Sequence, residues 1–159
     1  MKQGQGNVVC TIYSPMNGRI RPLTDVPDMA FAKKMIGDGI AIEPYDGEVL
    51  APTGGTVRSV FETRHAIVFE NERNYRVLLH FGIESMRLKG KGFKAHVQSG
   101  QTVEKGDKLL TVDLDRVKGR LASLLSPVVV TYPRDGFVIH LVAEQEVAAG
   151  EPLFEIMQP

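Results

Sequence analysis

Short apolar runs, broken every few residues by glycine, proline or a polar cluster, set the pattern of this chain. V-V-C-T-I-Y from Val8 reads as a strand and stops at Ser14-Pro15-Met16-Asn17-Gly18. I-A-I-E at 40–43 and V-V-V from Val128 read likewise, and a turn at Tyr132-Pro133-Arg134-Asp135-Gly136 precedes a strand from Phe137. Helical spacing shows in two places. After Asp28, a candidate N-cap, Phe31, Met35 and Ile36 share one face, and Gly37 is a good stop. Leu114, Val117, Leu121 and Leu124 recur at three- and four-residue steps between Asp113 and Leu125, in a segment weakened by Gly119 and closed by Ser126-Pro127.

Two duplications run through this pattern. S-P-M-N-G-R-I-R-P-L at 14–23 matches A-P-T-G-G-T-V-R-S-V at 51–60 in a small residue, a proline, a glycine, a β-branched residue and an arginine. V-E-K-G-D-K-L-L-T-V at 103–112 matches V-A-A-G-E-P-L-F-E-I at 147–156, each a turn feeding an alternating strand. Two copies are too few for a solenoid. The expected fold is all-β: a mainly antiparallel, barrel-like β-sandwich of repeated hairpin units, with two or three short helices. Residues 1–7, polar and glycine-rich, are expected to form a flexible tail on a single domain over 8–159.

The most informative stretch runs from His65 to Ile83. A-I-V-F and Y-R-V-L-L flank the polar four Asn71-Glu72-Arg73-Asn74, a hairpin signal. If Glu70 and Tyr75 close the turn, His65 lies directly opposite His80, with Cβ atoms about 4.5–5.5 Å apart. Thr63 then shares the face of His65 and pairs with Gly82, whose missing side chain leaves space beside His80.

The totals narrow the setting. A chain of 159 residues fits one domain. Lys+Arg 19 balances Asp+Glu 19 with no basic run, so nucleic acid is not an expected partner. Sixteen glycines and nine prolines fit many short strands joined by tight turns. The single cysteine, Cys10, excludes an internal disulfide and points to a reduced, cytoplasmic protein. No apolar stretch reaches the ~20 residues that span a bilayer, so direct membrane insertion is not expected.

His96 and His140 fit structural readings, but a facing pair of imidazoles invites chemistry. Two neutral imidazoles are half of a tetrahedral zinc site, for which Glu70 and Glu84 are not forced into place as further ligands. Serine–histidine hydrolysis lacks a G-x-S-x-G elbow. A histidine carrying a phosphoryl group fits better: neutral imidazole is nucleophilic near pH 7, and a second imidazole can donate to phosphoryl oxygens while a hydroxyl fixes its tautomer.

F-E-T-R-H-A-I (61–67) followed by L-L-H-F-G-I-E (78–84) resembles the glucose-type EIIA family of the bacterial sugar phosphotransferase system. The likeness extends to P-D-M-A-F-A-K-K-M-I-G-D-G-I-A-I, V-L-A-P-T-G-G-T-V, L-K-G-K-G-F and S-P-V-V-V-T, and covers roughly residues 12–156. It implies a β-sandwich phosphocarrier that needs no cofactor. His80 would accept phosphate, as tele-phosphohistidine, from the carrier protein HPr and pass it to a cysteine of a sugar-specific EIIB domain. His65 would support the phosphorylated state, and Thr63 would orient His65. The resemblance also implies an apolar docking face with an acidic rim, here Ala30, Phe31, Met35, Ile36, Phe61, Val68, Leu78 and Met86 with Asp28 and Glu84. Leu78 and Val68 stand where the family can have aromatics, Glu84 where aspartate is common, and Arg87 adds a positive charge near the rim. The rival reading is a regulatory module that docks on transporters or enzymes through this face, switched by phosphorylation.

Overall fold

Strands buried on both faces have no polar side to show, and the apolar runs at 40–42, 77–79 and 128–130 form such strands. The computed structural model describes residues 6–131 and 136–158. Its strands are β1 (Asn7–Tyr13), β2 (Gly18–Arg21), β3 (Gly37–Pro44), β4 (Glu48–Leu50), β5 (Gly55–Val60), β6 (Ala66–Glu70), β7 (Arg76–His80) and β8 (Phe93–Ala95). They continue as β9 (Thr102–Val103), β10 (Lys108–Val112), β11 (Ser126–Thr131), β12 (Val138–Leu141), β13 (Glu146–Val147) and β14 (Pro152–Gln158). Helices α1 (Met29–Ala32) and α2 (Leu114–Val117) are single turns, and 3-10 turns cover Leu23–Asp25 and Ser85–Leu88. Of the expected tail, residues 1–5 lie outside the described residues, whereas Asn7 belongs to β1 and pairs with Gln158. Tyr132 to Asp135 of the expected turn also lie outside them.

Eight strands form one antiparallel sheet in the order β13-β2-β3-β11-β7-β6-β5-β9, and two three-stranded sheets, β1-β14-β12 and β4-β10-β8, complete the sandwich. The large sheet keeps two edges and does not close into a barrel.

The duplications reappear as equivalent pairings. Gly18 pairs with Val147 and Gly55 with Val103, the same two repeat positions each time. Ser14 and Ala51, the first residues of their repeats, each donate to the acidic residue of the other unit, Glu151 and Asp107, at 2.7 Å. The halves also clasp one another, Tyr13 N donating to Pro52 O and Leu50 N to Pro15 O.

Both helices are shorter than their spacing predicts, yet both start where expected. Asp28 accepts from Ala30 N at 2.9 Å, and Asp113 accepts from Arg116 N at 3.3 Å. The first stops because Lys34 takes a left-handed conformation, φ 57°. The second loses Leu121 to Leu125 to the sheet side: Ile83 bridges Ser123, and Ala122 N donates to Ile83 O. One-turn helices have almost no stability of their own, so tertiary contacts decide their ends.

Alternation along the large sheet sorts two cores. Ile40, Ile42, Ile67, Phe69, Val77, Leu79, Val128 and Val130 enter the main core between the sheets. Ala41, Ala66, Leu78 and Val129 point the other way, into a second cluster with Leu23, Val26, Phe31, Ile83 and Leu125. The segment carrying α1 covers that second face, and His80 sits at its margin.

Candidate functional site

The hairpin forms, but one residue out of the expected register. Asn71 accepts from both Arg73 N and Tyr75 N with its side-chain oxygen, each at 3.0 Å, and Asn74 takes φ 65°. This side-chain-braced turn takes in Tyr75, so Glu70 pairs with Arg76 and Ala66 with His80. His65 stands opposite Phe81, whose N–H donates to the His65 carbonyl at 2.8 Å. Thr63 does not pair with Gly82; it lies in the loop joining β5 to β6.

The imidazoles meet nevertheless, ring centroids 4.7 Å apart and planes at 79°. His65 precedes β6 and so escapes the alternation that would place it beside Ile67 and Phe69. The loop is closed by Phe61 N to Ala66 O at 2.9 Å and Arg64 N to Phe61 O at 2.7 Å, with Arg64 at φ 62°. Thr63 Oγ1 lies 2.6 Å from His65 Nδ1. His80 Nδ1 lies 2.8 Å from the Gly82 carbonyl oxygen. A carbonyl only accepts, so His80 carries its proton on Nδ1 and leaves the Nε2 lone pair free. Aromatic edges flank both rings, Phe31 at 5.3 Å from His80 and Phe61 at 5.5 Å from His65.

Burial pushes the His65 imidazole down to about 4, and the neighbouring His80 pushes in the same direction. Burial also lowers His80, opposed by its bond to Gly82 and by the Asp28 carboxylate. Both rings are therefore neutral at pH 7. Above pH 6.5, His65 is neutral folded or unfolded and adds no pH dependence. Below it, the unfolded chain binds a proton that the folded one refuses, so stability falls by about 1.4 kcal/mol per pH unit until about pH 4. Urea midpoints across that window should fall more steeply for the natural chain than for His65→Gln; parallel curves would contradict the buried neutral ring.

The turn after His80 is braced on every side. Ser85 Oγ donates to Phe81 O, Gly82 N donates to Ser126 Oγ at 3.0 Å, and Ile83 N donates to Ser123 O at 2.9 Å. Gly82 does not leave open space: a Cβ there would stand 2.6 Å from Leu121 Cδ1, and φ is +72°. Gly82→Ala should lower stability by about 1–2 kcal/mol, from left-handed strain, since the Leu121 methyl can shift aside, read as a fall in the denaturation midpoint.

Of the expected docking residues, Met35, Phe61, Glu84 and Met86 are exposed, and Asp28, Ala30, Ile36 and Val68 are half-buried. Phe31 and Leu78 are buried in the second cluster, because this face of the sheet is covered rather than open. Asp28 spends its carboxylate on the α1 cap, and Arg87 pairs with Glu84 at 2.7 Å. Sequence reasoning passed over two residues. Met29, 63% exposed, flanks Ala30 at the helix start, where hydropathy alone marks it as core. Arg64 had only its place between Thr63 and His65 to signal it. Among the described residues no three His, Cys, Asp or Glu side chains gather to hold a metal ion, and no helix is long and apolar enough to cross a membrane.

Residues 10–136 match the family model described as the phosphoenolpyruvate-dependent sugar phosphotransferase system, EIIA 1. A PTS system glucose-specific EIIA component of Oceanobacillus iheyensis is 40% identical over 141 residues, covering 89% of this chain and 86% of the relative. One of Halalkalibacterium halodurans is 44% identical over 140 residues, covering 88% and 81%. Among solved structures, glucose permease IIA from Mycoplasma capricolum superposes with a TM-score of 0.87 at 35% identity, over 92% of this chain and 94% of that one.

Proposed function

Because this chain belongs to the EIIA 1 family of the phosphoenolpyruvate-dependent sugar phosphotransferase system, we propose that it is a phosphocarrier working through His80. The observation that carries the reading is the His80 Nδ1–H bond to Gly82 O, with the His65 ring 4.7 Å away. The His80 Nε2 lone pair attacks the phosphorus of phosphohistidine on HPr; the new P–N bond forms as the old one breaks, and the HPr ring, protonated on its other nitrogen, leaves as a neutral imidazole. A thiolate of an EIIB domain then attacks the same phosphorus, and His80 departs as the neutral ring it was. No proton is stranded, because Nδ1 keeps its proton throughout.

His65 supports the charged intermediate. Thr63 Oγ1 lies 2.6 Å from His65 Nδ1; in this reading the hydroxyl donates to Nδ1, and the His65 proton sits on Nε2, ready to bond a phosphoryl oxygen. A ring whose protonation is held off until about pH 4 stays neutral across the working range, and the Thr63 hydroxyl fixes which nitrogen holds the proton. Transfer needs positioning and charge stabilisation more than covalent help, and a braced turn supplies the first. The setting is the cytoplasm, where a soluble carrier meets HPr and the EIIB domain of a membrane transporter. The relatives are glucose-specific by name; His80 and its surroundings handle phosphate alone, so sugar choice rests with the partner.

A regulatory docking role is the second reading, favoured by the exposed Met29, Met35 and Met86 and by exposed Phe61, whose ring meets His65. Methionine surfaces adapt to varied partners, and a dianion on His80 would disfavour apolar contact. One assay tests the first reading: labelled phosphoenolpyruvate with enzyme I and HPr should place acid-labile, base-stable phosphate on the protein, and adding EIIB should remove it. A competent phospho-HPr that leaves the chain unlabelled would overturn it.

A further inference from the structure

We infer that Arg64 is a positioning residue: its guanidinium, bonded to the carbonyls of Phe93 and Gly90, fixes the loop that sets the His65 ring against His80. The inference rests on the phosphocarrier reading above for its kinetic consequence, though not for its geometry.

Arg64 lies between the two residues of the Thr63–His65 bond and takes φ 62°. A long side chain holds that conformation only where its surroundings over-determine it. Here they do. Nε donates to Phe93 O at 3.0 Å and Nη2 to Gly90 O at 3.1 Å. Those acceptors are themselves fixed, Phe93 N donating to Gly90 O at 3.1 Å and the Phe93 ring lying buried in the main core. The receiving loop is also shaped for the group: a Cβ on Gly90 would stand 2.6 Å from Nη2 and 3.1 Å from Cζ. Among the described residues the guanidinium meets no carboxylate within ion-pair distance, so its two prongs serve these carbonyls alone.

The register shows what the clamp accomplishes. His65 stands opposite Phe81, not His80, and strand alternation would turn its side chain toward Ile67 and Phe69. The left-handed residue just before it breaks that alternation. The guanidinium then pins the broken loop to the 90–93 segment, so the His65 ring rests in one orientation. A planar fork does this better than an ammonium, which cannot hold two carbonyls at fixed angles.

Arg64→Gly accepts the backbone conformation and removes the fork, and Arg64→Lys controls for the backbone freedom that glycine adds. The His65 ring, followed by nuclear magnetic resonance, should then titrate about one unit or more closer to an ordinary histidine. Labelling from phospho-HPr should stay within about three-fold, while transfer onward to EIIB falls about ten-fold. Arg64→Lys should behave like Arg64→Gly. Wild-type titration and onward rate in Arg64→Gly would overturn the inference. So would uptake and release falling together with the His65 titration unmoved, since that is what loss of mere stability does. Should the natural chain take no label at all, the phosphocarrier reading fails, and the His65 titration alone still decides whether Arg64 holds the ring.

Discussion

His80→Ala should leave a folded protein that takes up no phosphoryl group, with the rate down by roughly four orders of magnitude or more. The half-buried imidazole gives up one hydrogen bond to Gly82 O and edge contacts with Phe31 and His65. That loss is worth only about 1 kcal/mol of stability. The chemistry has nothing to replace it. Buried His65 carries a pKa near 4 and has Nδ1 engaged by Thr63, and His96 and His140 bond to Thr111 and Glu155 in other sheets. Acid-labile label measured after exposure to phospho-HPr decides it. A variant that labels at the natural rate would remove His80 from the reaction.

His65→Ala should separate filling from emptying. Labelling at equilibrium registers an amount, so a slower step still fills His80 given time. The chase with EIIB registers a rate, and there the missing donor is felt. Removing one preorganised donor aimed at developing charge slows a transfer by roughly 10²–10³-fold. The expected result is therefore near-complete label that lingers when EIIB is added. Chase at the natural rate would reduce His65 to a packing residue. The truncation also leaves Thr63 and the edge of Phe61 without their partner. A melting curve run alongside shows whether a slow chase comes from a loosened fold.

Much of this was legible in the chain. Strand runs such as V-V-C-T-I-Y, A-I-V-F and V-V-V became β1, β6 and β11, because β-branched and aromatic runs bounded by turn residues have few other uses. The duplications were visible as words and proved to be matching pairings. Three features were not legible. The register slipped by one, because the Asn71 side chain builds a turn longer than the polar four residues suggest. Two docking candidates, Phe31 and Leu78, proved buried, since periodicity does not say which face of a sheet a neighbouring segment covers. Gly82 in the sequence suggests open space, whereas its place is a left-handed turn against Leu121. The histidine pair was anticipated for a partly mistaken reason. A regular ladder would set the two side by side, whereas a left-handed residue outside the ladder brings the rings together.

The clasped repeats have one more consequence. The connection after β2 brings Phe31 to one side of His80, and the corresponding connection after β5 brings His65 to another. In a protein made of two separate copies, such a site would sit at a subunit interface and fall apart on dilution. Here both contributors share a single polypeptide, so assembling the site is a first-order event. Its integrity is independent of protein concentration.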